Sequence, residues 1–281
     1  MKRTLNRQPG NDRQIILGMG TGQCGPGVLV ELLNRQPGTR VTHAQLPWLG
    51  WQRDESPSGI GERLRRFVSA SNDRRVGDVA TFYLPYAEEA IQCAPGIRII
   101  CLKRPRDEVV RGFCRFLDQS SPFKINHWAK EPAAGWCHDP FETRIYPQYD
   151  TADREEGIRR YWDEYYTRAD ELQRRHPENL RVWDAAALTT FAGVREILTF
   201  AGIPAGEQVI ATAPALSHVN GATVPRPAPA ADPLDSRICV VLVPFGGSIH
   251  QEGDEGLNGL ERSGYEIAYS HTRDNCGLGQ D

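Results

Sequence analysis

The chain has 281 residues, 40% of them hydrophobic and 25% charged, a mixture that can bury a core and argues against wholesale disorder. Its 33 basic and 36 acidic side chains leave a formal charge of -3, so there is no electrostatic footprint for a nucleic acid or an anionic membrane. Seven cysteines with no C-x-x-C pair argue against a zinc ribbon or a thioredoxin-like motif, so no metal site is expected, and reduced thiols point to a cytoplasmic protein.

Residues 1–13 are polar and carry no apolar core of a signal peptide. Gln14–Met19 (QIILGM) is a short apolar run entering a glycine cluster and reads as a first buried strand. Val28–Leu33 reads as a helix, ended by Pro37 and Gly38, and Thr39–Thr42 as a second strand. Helix Gly61–Ala70, strand Val76–Tyr83 and helix Tyr86–Cys93 follow, the last stopped by Pro95 and Gly96. Ile97–Leu102 is β-branched and apolar, a strand, and Arg106–Leu117 a helix.

Ser120–Asp150 is irregular and rich in aromatic residues, proline and histidine, the kind of long loop that often carries function. Its Trp128, Trp136 and Tyr146 are expected to shape an acceptor pocket. Ile158, Tyr161, Trp162, Tyr165, Tyr166, Ala169 and Leu172 recur at helical spacing, a stripe that reads as core. Leu180–Trp183 is a strand and Phe191–Ala201 a helix ended by Gly202 and Pro204. Strand and helix alternate throughout, which predicts a doubly wound parallel α/β sheet flanked by helices, spanning 1–212. Residues 213–236, rich in proline and alanine, read as a linker, and 237–281 as an incomplete βαβ appendage too short for a core of its own. The longest apolar stretch, Ile238–Phe245, is too short to span a bilayer.

The segment Gly18–Gly27 (GMGTGQCGPG) joins a strand to a helix, where backbone amides and a helix N-terminus can cradle phosphate. Gly20, Gly22 and Gly25 fit a dinucleotide fingerprint, but the second strand ends Thr42-His43-Ala44-Gln45 without the acid that would hold a ribose. Gly20 and Gly25 also have Walker A spacing, yet Pro26 and Gly27 stand where Lys and Ser or Thr belong. Cys24, at a helix N-terminus, is expected to have a lowered pKa.

A third reading uses more of the chain. Gly20, Thr21, Gly22, Gln23, Cys24, Gly25, Pro26 and Gly27 align with G-x-x-[RK]-[ST]-G-T-T, and Leu102-Lys-Arg-Pro-Arg-Asp-Glu108 with L-x-R-[DN]-P-x-[DE]. Tyr161–Tyr166, Leu180–Trp183 and Val194–Pro204 (VREILTFAGIP) follow in family order, and over roughly 14–204 the chain resembles the P-loop sulfotransferases. The resemblance implies a donor, 3′-phosphoadenosine-5′-phosphosulfate, whose phosphosulfate lies in the loop and whose 3′-phosphate meets Arg104 and position 112. It implies sulfuryl transfer to a hydroxyl or amine of a small molecule or saccharide, without metal. The chain departs from the pattern at Gln23, where the family has a cation, at Pro26 and Gly27, and at Gly112, where it has serine. Losing a charge-assisted hydrogen bond costs about 1.5–3 kcal/mol. These departures keep open an alternative, a catalytically degenerate nucleotide- or partner-binding protein on the same fold.

Independently of the resemblance, a guanidinium at the carboxyl end of a parallel strand can bind phosphate with two parallel hydrogen bonds, which supports Arg104, the alternative being a solvated basic turn closed by Asp107 and Glu108. For the base, His43 lies just past the second strand, with His127 and His138 as other candidates. Asp78 could orient a base or cap its strand. In the tail, Val-Pro-Phe-Gly after Ile238 is similar to the opening of nucleotide-sugar glycosyltransferase domains, without room for their acidic metal motif.

Overall fold

A computed structural model describes residues 13–52 and 59–212. The linker and appendage expected over 213–281, and their glycosyltransferase-like start, lie outside the described residues. Among these, no helix is long and apolar enough to cross a membrane.

Five parallel strands form the central sheet: β1 (Gln14–Met19), β2 (Thr39–His43), β3 (Arg75–Val79), β4 (Arg98–Lys103) and, last in the chain, β7 (Leu180–Asp184). Their spatial order is β2-β3-β1-β4-β7. β1 is central, pairing Gly18 with Val79 of β3 and with Ile100 of β4. Its burial on both faces explains the unbroken apolar run that marks it in the sequence.

Alternate residues of the strands feed two cores. Ile15, Leu17 and Met19 pack with α2 (Ile60–Ala70), α3 (Ala87–Cys93), α4 (Arg106–Ser120) and α5 (Arg154–Arg175). Ile16, Ile100 and Leu102 pack on the opposite face with α1 (Pro26–Asn34) and α6 (Phe191–Phe200). The expected doubly wound α/β architecture is therefore the observed one.

Local chemistry sets the helix ends. Asp153 caps α5 by accepting from the amides of Glu155 and Glu156, and Arg174 and Arg175 close the last turn, each charge favouring its end of the helix dipole. Thr190 caps α6 through the Gly193 amide, and Gly202 ends it with a φ of 77°.

Two expectations change. The third strand stops at Val79, and Thr81–Tyr86 forms a 3-10 turn. β1 and β2 end at Met19 and His43, so an extended Thr81–Tyr83 would have no ladder to join; instead Phe82 and Tyr83 turn into the core. The segment 120–150 holds a two-residue parallel ladder, β5 (Lys124–Ile125) with β6 (Trp136–Cys137), and a 3-10 turn at Thr143–Ile145. Its Trp128 and Tyr146 are buried in the core, packed against Phe113 and Tyr161, and do not line an open pocket.

Candidate functional site

In an open parallel sheet, ligands bind beyond the carboxyl ends of the strands, where the connections diverge to opposite faces. Here β1 leads to α1 on one face and its neighbour β4 to α4 on the other, so the crevice lies between the glycine loop and Lys103–Pro105.

Glycines stand where the loop's backbone comes closest to its surroundings. A Cβ on Gly20 would lie 2.5 Å from Cys24 Sγ and 2.7 Å from the Leu102 carbonyl, and one on Gly22, whose φ is 90°, would lie 2.8 Å from Phe113 Cζ. Gln23 holds a left-handed φ of 54°, and Gly25, φ 92°, is the residue before α1. Pro26 starts the helix with its φ already fixed near the helical value, and it offers no amide.

Two tyrosines of α5 engage the start of the loop. The Tyr165 hydroxyl accepts from the Gly20 amide at 2.9 Å and donates to the Thr81 carbonyl at 3.0 Å. The Tyr166 hydroxyl donates to the Leu102 carbonyl at 2.6 Å and receives the Thr21 amide at 3.5 Å. Beyond them, no side chain caps α1, and among the described residues the amides of Gln23, Gly25, Gly27 and Val28 have no protein acceptor. Unpaired amides at a helix start, with the positive end of its dipole, are a place where an anion can be bound.

Arg104 stands beside these amides. Its Nη1 donates to the Gln23 carbonyl at 3.1 Å and its Nε to Glu108 at 2.7 Å, while the side chain stays 45% exposed and within reach of solute. Lys103 pairs with Asp170 at 3.4 Å and lies over the rings of Trp162 and Tyr166. Arg106 pairs with Asp163 at 3.0 Å. Gly112, on α4, faces Gln23: a Cβ there would meet Gln23 Cβ at 3.1 Å and its Cγ and Oε1 at 3.2 Å. The fold thus brings Gly20–Gly27, Arg104 and Gly112 to one place.

His43 is not among them. It is the exposed last residue of the outer strand, in register with Val79 and through it with Gly18. Two strand spacings separate it from β1, about 10 Å between main chains. Asp78 is buried and accepts from the hydroxyls of Thr42 and Tyr83, both at 2.6 Å, and from the Gln45 amide at 3.3 Å, so it ties the ends of β2 and β3 together. His127 contacts Thr143 through Nδ1 at 3.0 Å, and burial lowers its pKa to about 4. His138 Nε2 bonds the Ala129 carbonyl at 2.7 Å. Both histidines hold the 120–150 segment in shape.

Cys24 corrects an expectation. It is 2% exposed, and burial pushes its thiol up to about 11 despite the amides and the Tyr166 hydroxyl that would favour the thiolate. Desolvation outweighs the helix N-terminus and favours the protonated thiol over the nucleophilic thiolate. Among the described residues no cluster of three or more His, Cys, Asp or Glu side chains could hold a metal ion.

No family model matches the chain. No curated protein matches it either. Among solved structures, a sulfotransferase from Alicyclobacillus acidocaldarius is similar at 17% identity with a TM-score of 0.42, covering 68% of this chain and 82% of that one.

Proposed function

We propose that the crevice between the glycine loop and Arg104 holds the donor 3′-phosphoadenosine-5′-phosphosulfate, and that the protein moves its sulfuryl group to a hydroxyl or amine of a small molecule or saccharide. One observation carries this reading: four unpaired amides at the start of α1 lie beside a half-exposed guanidinium that already reaches into the loop. The sequence resemblance supplies the identity of the anion.

The fit is uneven across the donor. The amides of Gln23, Gly25, Gly27 and Val28 suit a phosphosulfate, whose oxygens accept several hydrogen bonds at once. The 3′-phosphate would meet Arg104 alone, because Gly112 has no hydroxyl and Gln23 covers it. Arg104 would exchange part of its pairing with Glu108 for the phosphate, a small loss for an exposed ion pair. In this reading the base is His43, at the end of β2, whose unprotonated ring nitrogen would take the proton of an acceptor bound between it and the loop.

A second reading is a binding protein without turnover on the same fold. It is favoured by the pairing of Lys103, Arg104 and Arg106 with Asp170, Glu108 and Asp163, and by an uncharged side chain at Gln23. Such pairing leaves little net positive charge for a transferring group.

Calorimetric titration with 3′-phosphoadenosine-5′-phosphate tests the site. Micromolar binding by the wild type, lost in Arg104→Ala, is the expected outcome. No heat at millimolar nucleotide would sink the donor reading. Gln23→Arg separates the two readings: an enzyme gains turnover in a sulfate-transfer assay, and a binding protein does not.

A further inference from the structure

A loop with four glycines between residues 20 and 27 has many backbone states, and fixing it for a ligand costs entropy unless something fixes it beforehand. The fold supplies that fixing from an unrelated part of the chain. Tyr165 and Tyr166 lie 145 residues beyond Gly20 and Thr21, side by side on α5. Each hydroxyl gives its proton to a carbonyl beside a strand flanking β1, Thr81 just after β3 and Leu102 in β4. The proton's direction leaves a lone pair aimed at the loop. Gly20 fills one and Thr21 the other. The loop's first two amides are therefore tied to both neighbours of its own strand, through side chains that are themselves buried.

We infer that Tyr165 and Tyr166 are positioning residues for the anion nest: by holding the Gly20 and Thr21 amides they fix the backbone that leaves the amides of Gln23, Gly25, Gly27 and Val28 free for a ligand. This rests on the reading of the loop as an anion site. It divides the loop into an anchored half, spent on internal bonds, and a ligand half. Tyr165 makes the shorter bond to a loop amide, 2.9 Å against 3.5 Å, and carries more of the effect. Tyr161, one turn earlier on α5, has a buried hydroxyl with no partner among the described residues and serves as the internal control.

The test uses full-length Tyr165→Phe, Tyr166→Phe and Tyr161→Phe proteins, checked for folding by circular dichroism. Amide hydrogen exchange at Gly20 and Thr21 is read without ligand, and affinity is read by titration with 3′-phosphoadenosine-5′-phosphate and with inorganic pyrophosphate. Tyr165→Phe is expected to speed exchange at Gly20 and weaken pyrophosphate about tenfold. Tyr166→Phe should do the same at Thr21 to a lesser degree, and Tyr161→Phe should change neither. Arg104→Ala should weaken the nucleotide with exchange at Gly20 unchanged, which separates ligand contact from positioning. Wild-type binding of pyrophosphate but not of the nucleotide would sink the donor reading and leave the positioning role standing. Unchanged pyrophosphate affinity in Tyr165→Phe, despite faster exchange at Gly20, would overturn the inference, as would a wild type that binds neither probe. If Tyr165→Phe does not fold, Tyr166→Phe decides on the same criteria.

Discussion

The side chain of Gln23 lies across Gly112, so two positions that each depart from the sulfotransferase pattern are in contact, 89 residues apart in sequence. A serine at 112 would place its Cβ at 3.1–3.2 Å from three atoms of Gln23, closer than side chains comfortably pack. We expect Gly112→Ser alone to destabilise the fold by about 1–2 kcal/mol through overpacking. Gln23→Gly should remove both the obstruction and the left-handed strain, worth ~1 kcal/mol. The double variant should then be more stable than the sum of the single effects, measured by a double-mutant cycle in urea. Additive single effects would mean that the two positions do not compensate each other.

The contrast between Gln23–Gly112 and the sheet shows what a sequence carries by itself. β1 and β4 are legible because strands buried on both faces must be apolar throughout, and glycine or proline marks their ends. The same composition misleads at Thr81–Tyr83, where aromatic and β-branched residues enter a 3-10 turn because no neighbouring strand extends that far. The helical spacing of Tyr161, Tyr165 and Tyr166 reveals a buried face, but not that two of the three hydroxyls hold the glycine loop, since their partners lie 145 residues away. Adjacent tyrosines on a buried stripe were the available signal: a buried hydroxyl needs a partner. Trp128 and Tyr146 sit in an irregular segment, so no periodicity marked them as core. The raised pKa of Cys24 is not legible in the sequence, because position at a helix start is local, whereas burial depends on the whole fold.

The helix α5 meets the irregular segment at Gly157, where an added Cβ would lie 2.7 Å from Trp128 Cβ. Alanine is the better helix former by ~1 kcal/mol. Here that gain is outweighed, because Trp128 is fully buried between Phe113, Tyr146 and Tyr161 and cannot yield cheaply. Gly157→Ala is expected to lower Tm by a few degrees through an overpacking cost of about 1–3 kcal/mol. A raised Tm would show that the aromatic cluster repacks freely.

Thiol reactivity should follow burial rather than the helix start. With its pKa pushed to about 11, Cys24 is ionised to only about one part in a thousand at pH 8, and its sulfur is closed to reagent. Cys137 is exposed. Alkylation of the native protein, mapped by peptide mass, should label Cys137 within minutes and leave Cys24 intact until urea opens the fold. Early labelling of Cys24 would contradict its burial within the loop.

Stability should respond to pH through two neighbours of opposite sign. His127, 1% exposed, is lowered from 6.5 to about 4 by burial, which outweighs the favourable charge of Asp139; His138 and Arg154 lower it further. Glu142, whose carboxylate is 3.7 Å from His127 Nε2, is raised to about 7 by burial and then by Asp139. A folded-state histidine that resists protonation stabilises fully above the unfolded value, and that contribution is lost as pH falls from about 6.5 towards 4, worth about 3 kcal/mol when complete. A folded-state carboxyl that keeps its proton works the other way: its contribution is present below the unfolded value near 4.5 and lost as pH rises through about 7. Glu142→Gln mimics the protonated acid and should gain stability relative to the wild type between pH 5 and 8. His127→Gln should flatten the loss between pH 6.5 and 4. Urea unfolding at pH 4.5, 6 and 8 reads both effects. A stability difference between Glu142→Gln and the wild type that stays constant from pH 5 to 8 would show that Glu142 is ionised in the folded protein throughout that range.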